Sequence, residues 1–113
     1  MDLNLTDEQQ MVRDMARSFA EKEVKPFASR MDHDAVYPAE IVKKLSKLGL
    51  MGMLLPEKFG GSGMDLLAYV LALEEISKVW ASLGVIMSVQ NSLVCRPILQ
   101  FGSETLKKKY LPP

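Results

Sequence analysis

The sequence predicts an all-α bundle of five to six helices in one domain spanning residues 1–113. Three observations predict it. Apolar residues recur at spacings of three and four along most of the chain, the period of one helical face. Helix-start residues and glycine or proline stops alternate at short intervals. No segment combines β-branched residues with strict alternation, so strands are not expected. A chain of this length buries roughly two-thirds of its unfolded surface, enough for a core without staples.

Each element has a local cause. Thr6 is an N-cap, Gln9 completes a capping box, and Asp7 and Glu8 favour the positive end of the first helix. Met11, Met15 and Phe19 form its apolar row, with Val12, Ala16 and Ala20 alongside. Pro26 should kink or restart the helix, giving a short second one to about Met31. Pro38 sits at the first position of a third helix, whose stripe is Ile41, Val42, Leu45 and Leu48 and whose stop is Gly49. Leu50 to Pro56 reads as a packed connector, and Glu57 to Met64 as a glycine-rich turn. Asp65 caps a fourth helix with a wide face of Leu66, Leu67, Val70, Leu71, Leu73, Ile76 and Trp80. Ser82 marks the start of a fifth, which Pro97 bends and Gly102 ends. Ser103 caps a last helix through about Tyr110, and Pro112-Pro113 prevents its continuation.

Composition excludes several classes of function. Fourteen basic and fourteen acidic residues cancel, which argues against nucleic acid as a partner. Lys107-Lys108-Lys109 reads as a solvated helix end. The single Cys95 has no internal disulfide partner, and no signal peptide precedes the first polar segment, so a cytoplasmic location is expected. From Val79 to Cys95 no residue is charged, although a quarter of the chain is. That run is too short and too rich in serine and amides for a membrane span. It should instead be buried all round, or line an apolar cavity. Eight methionines suit an ordinary core or an adaptable apolar pocket.

Few residues carry chemistry. Gly60-Gly61-Ser62-Gly63 matches neither a P-loop nor a dinucleotide fingerprint, and reads as a turn. His33, the one histidine, lies between Asp32 and Asp34 and makes no metal site alone. Of the pair Glu74-Glu75, Glu74 lies nearer the apolar face and should be partly buried, with Glu75 pairing to Lys78. Cys95 reads as a small buried hydrophobe. Within the uncharged run, Ser88, Asn91, Ser92 and Cys95 form a polar seam. Its serines are expected to bond back to carbonyls one turn earlier, and Asn91 to tie down a neighbouring loop.

Several segments together resemble the amino-terminal helical domain of acyl-CoA dehydrogenases. They are Leu5 to Gln10, Leu48 to Gly52, Pro56 to Gly63, Glu74 to Ser77, Gly84 to Leu93, Pro97 to Gly102 and Lys108 to Pro112. The likeness covers essentially the whole chain in register, and the fifth-helix run is most similar to the short-chain, butyryl-CoA type. It implies a longer enzyme with a central β domain and a carboxy-terminal helical bundle, neither present in these 113 residues. FAD lies mainly between those two domains and a neighbouring subunit. The glutamate base that removes the α-proton while the β-hydride passes to flavin belongs to the carboxy-terminal bundle. No residue of this chain matches it, so no catalytic residue is assigned. The chain alone is then expected to bind little FAD and to be inactive.

What the resemblance assigns to this domain is part of the acyl-chain pocket, through Ile86, Val89, Gln90 and Leu93. Their spacing fits one helical face, offset from the polar seam. It further implies oxidation of short acyl-CoA to the trans-2-enoyl product, a homotetramer, and electron transfer flavoprotein as acceptor. The competing reading is a non-catalytic helical interaction module on the same fold.

Overall fold

A computed structural model of the chain describes residues 3–111, leaving the expected Pro112-Pro113 stop outside the described residues. These residues form α1 (Asp7–Phe19), α2 (Lys25–Asp34), α3 (Ala39–Lys47), α4 (Leu66–Val79), α5 (Ala81–Val89), α6 (Arg96–Phe101) and α7 (Glu104–Tyr110). A π-helical turn at Ala20–Val24 fuses α1 to α2, and another at Gln90–Cys95 fuses α5 to α6, so the helices make five rods. A 3₁₀ turn occupies Glu57–Phe59, and there is no strand among the described residues. The all-α bundle is as expected.

Both π turns end two residues before a proline, Pro26 and Pro97. Proline has no N–H, and its ring strikes the carbonyl four residues back in a regular helix. Widening the turn to i→i+5 bonding relieves that clash without ending the rod. The expected break at Pro26 is therefore absorbed, and α2 runs on to Asp34.

The caps form where their side chains predict. Thr6 and Gln9 make the reciprocal capping box. Asp65 Oδ1 accepts from Ala68 N at 2.7 Å, and Ser103 Oγ accepts from Leu106 N. Gln9 Nε2 also donates to Asp65 Oδ2 at 2.9 Å, so one glutamine ties together the starts of two helices. Pro38 is the N-cap of α3, so the helix starts one residue later than expected, at Ala39, and the N-cap of α5 is Trp80 in place of Ser82. The Ser82 hydroxyl is spent on Asp32, which also accepts from Trp80 Nε1.

The core packs α1, α3, α4, α5 and the connector together. Val12, Ala16 and Phe19 meet Ala68, Ala72 and Ile76, with Leu45, Leu50, Met53, Leu83 and Met87 completing the interior. α1 and α4 run parallel, since Gln9 meets Asp65 and Arg17 meets Glu75. Alanines at this seam let the two backbones approach closely. The chain then turns back at Trp80, and Gly84 of α5 sits against Ser77 of α4. Two expected faces are corrected. Met11 is exposed, so the buried row of α1 follows Val12 and Ala16. On α4, Leu66, Leu67 and Val70 are exposed, while Ala68, Tyr69 and Ala72 face the core. Leu48 is likewise exposed at the end of α3. No described helix is long and apolar enough to cross a membrane.

Candidate functional site

A cleft of about 500 Å³ opens between α5 and the connector. One wall is Val85, Ile86, Val89 and Gln90, and the other is built from Gly49, Met51, Gly52 and Leu55. Tyr37 and Tyr110, both exposed, also line it. Among the described residues, no Asp, Glu, Lys, Arg or His lines the cleft. It is sized for a small ligand portion and suits an apolar chain. It does not fit a flavin dinucleotide, whose diphosphate would find no counter-charge among these residues.

The expected pocket residues divide. Ile86, Val89 and Gln90 line the cleft, whereas Leu93 is 68% exposed and outside it. The uncharged run is not buried all round, which corrects that expectation. Val85 (61% exposed), Val89, Leu93 and Val94 leave an uncovered apolar flank. Large apolar surface without cover marks a contact site. The connector wall, by contrast, was expected only as packing.

At Ser92 and Asn91 the polar seam makes the structural bonds expected of it. Ser92 Oγ donates to Ser88 O at 2.6 Å. Asn91, 2% exposed, accepts from Met53 N at 2.8 Å and donates to Leu50 O and Met87 O. Cys95 is buried, and burial pushes its thiol pKa up against a weak hydrogen bond from Gln90. A thiol so placed is a poor nucleophile.

The other candidates fall away on geometry. Around the glycine turn, Gly61 N donates to Pro56 O, Ser62 N to Gly52 O and Gly63 N to Leu55 O. Those amides are spent within the fold, not aimed at an anion, while Gly60 and Gly63 supply the positive φ the turn requires. His33 is exposed and among the described residues meets only its neighbour Asp34, at 3.1 Å. The described residues contain no group of three metal-ligating side chains. For the acid pair the expectation reverses: Glu74 is exposed and Glu75 buried. The two point about 100° apart, and α4 turns the second one inward. Arg17 Nε and Nη2 donate to both Glu75 oxygens at 3.2 and 2.9 Å, and Lys78 adds a third contact. Arg17 first, and Lys78 after it, hold the Glu75 carboxyl below its ordinary range despite burial. A carboxylate so engaged clamps α1 to α4 and is no free base.

Comparison with known proteins gives the family of this fold. Residues 6–113 match the model of the acyl-CoA dehydrogenase N-terminal domain. The short-chain specific acyl-CoA dehydrogenase of Clostridium acetobutylicum is 48% identical over all of this chain and 30% of its own length. The structure of butyryl-CoA dehydrogenase from Megasphaera elsdenii superposes with a TM-score of 0.92 at 42% identity, over 100% of this chain and 30% of that one. A chain from the structure titled for the electron transferring flavoprotein of Acidaminococcus fermentans reaches a TM-score of 0.95 at 43% identity, with the same coverage. The chain thus spans under a third of the length of these relatives. On the family match and the fold together, it belongs to the acyl-CoA dehydrogenase family, of which it represents the N-terminal domain.

Proposed function

We propose that this domain walls the acyl-chain side of the active site in an FAD-dependent dehydrogenase that oxidises short-chain acyl-CoA to the trans-2-enoyl product. The observation that carries the reading is a charge-free cleft beside an uncovered apolar flank, in a protein otherwise rich in charge. Ile86, Val89 and Gln90 bind the acyl chain and exclude water from it. Leu93, outside the cleft, meets the chain only where neighbouring domains close over this flank. A bulky apolar wall sorts chain length, since each methylene in such a slot is worth about 1–3 kcal/mol. FAD would supply the hydride acceptor, and the residues that hold it and the base would belong to other domains of the enzyme. A cytoplasmic homotetramer that passes electrons to an electron transfer flavoprotein is part of the same reading.

The test is a chimera in which this chain replaces the matching N-terminal segment of the Clostridium acetobutylicum relative. The chimera is expected to purify yellow and to oxidise butyryl-CoA with a dye acceptor. The 113-residue chain alone is expected to be colourless and inactive. A chimera that holds stoichiometric flavin yet oxidises no acyl-CoA overturns the proposal and favours a non-catalytic interaction module.

A further inference from the structure

Apolar packing joins the two walls of the cleft, and one side chain adds hydrogen bonds between them. Among the described residues, Asn91 makes both hydrogen bonds that cross from the α5 rod to the connector. Its carbonyl oxygen accepts from Met53 N at 2.8 Å, and its amide donates to Leu50 O at 3.1 Å and to Met87 O at 2.9 Å. Leu50 and Met53 bracket Met51 and Gly52, two residues of the opposite wall. Both amide hydrogens and the carbonyl are used, so neither aspartate nor leucine of similar size reproduces the set. The connector is also held from its other side, where Ser62 N donates to Gly52 O and Met64 N to Met53 O. Leu50 and Met53 share one buried apolar cluster with Leu83 and Met87 of α5, and Asn91 adds the directional hydrogen bonds between the two elements.

We propose that Asn91 is a positioning residue that sets the width of the cleft, and through it the length of acyl chain accepted. The proposal rests on the acyl-cleft reading above. Releasing the clamp lets Met51 and Gly52 move away from Val89 and Gln90, which loosens the fit of a short chain and admits a longer one.

The experiment uses the flavin-loaded enzyme that carries this chain as its N-terminal domain, with the variants N91L and N91S. N91S keeps one hydrogen bond and leaves room for a water, which covers failure of N91L to fold. Expected in the variants are faster hydrogen exchange at the Met53 amide, a KM for butyryl-CoA raised about tenfold with kcat within about twofold, and a hexanoyl-to-butyryl ratio of kcat/KM raised about tenfold. A role in stability alone would leave that ratio unchanged. Folded variants with an unchanged length ratio, or unchanged Met53 exchange, overturn the role of Asn91. A wild-type enzyme inactive on every acyl-CoA overturns the acyl reading instead, so the two failures are distinct.

Discussion

Replacing Gly84 with alanine tests how closely α5 is seated on α4. A methyl group built on Gly84 collides with Ser77 Oγ and lies 3.1 Å from Ser77 Cβ and 3.4 Å from Ser77 Cα. The hydroxyl can rotate away. The Cβ cannot retreat unless α4 shifts, and carbon atoms prefer about 3.5–4.0 Å. Two effects oppose each other. Alanine is intrinsically better than glycine in a helix by about 0.8–1 kcal/mol. Overpacking a filled interior costs about 1–3 kcal/mol, and with only the hydroxyl able to yield a value of ~2 applies here. The net expectation is a loss of about 1 kcal/mol, or roughly 5 °C in Tm for a domain of this size.

A double-mutant cycle separates packing from propensity. Ser77→Gly removes the colliding side chain and alone costs about 0.5 kcal/mol through propensity. The pair G84A/S77G should return to wild-type stability or slightly exceed it, giving a coupling energy of about 2 kcal/mol. Urea denaturation of the four proteins measures it. A G84A protein more stable than wild type, or single-variant effects that simply add, would refute the close seating of these helices.

Three further predictions concern single sites. Asp65→Ala should cost about 1 kcal/mol in urea denaturation, and Asp65→Asn less, because asparagine still accepts from Ala68 N. The Asp65 carboxyl is held low by the Ala68 N–H and then by Gln9, and that of Glu75 chiefly by Arg17. Carboxylates with depressed folded pKa values add stability that is complete above the unfolded values, about 4, and lost as pH falls through the folded ones. Stability should therefore decline on acidification below about pH 4, and the gap between wild type and E75Q should narrow over the same range. Cys95, buried and with a raised thiol pKa, should react with a disulfide reagent only slowly at neutral pH and fully once urea unfolds the chain. Equal rates in both states would place the thiol at the surface.

Features that depend on one residue and its near neighbours were legible in the sequence. Thr6 with Gln9, Asp65 and Ser103 are caps because a short acceptor side chain meets amides two or three residues on, whatever the tertiary fold. Burial on α4 was not legible. Apolar residues surround that helix, so periodicity does not choose its inner face. Close approach to α1 chooses it, and that selects Ala68 and Ala72 over the larger Leu67 and Val70. The same rotation exchanges Glu74 for Glu75, and the partner Arg17, 58 positions away, with Lys78 beside it, makes a buried carboxylate tolerable there.

The cleft divides along the same line. The resemblance assigns Ile86, Val89, Gln90 and Leu93 to one wall, and helical spacing supports Ile86 and Val89 there because regular α geometry holds up to Val89, with Gln90 directly after. It does not support Leu93, since the π turn begins at Gln90. A turn closed at i→i+5 rotates the chain less per residue, so Leu93 falls short of the face that α-helical counting assigns to it. The cause was visible in the sequence as Pro97; its consequence for a residue four positions earlier was not. The opposite wall was beyond reach for a different reason. Met51 and Gly52 have no periodicity of their own, and the flanking Leu50 and Met53 are tied to Asn91 by bonds spanning 41 and 38 residues. Helical counting therefore finds half of such a cleft at most, and the buried amide that joins the halves is where its shape is decided.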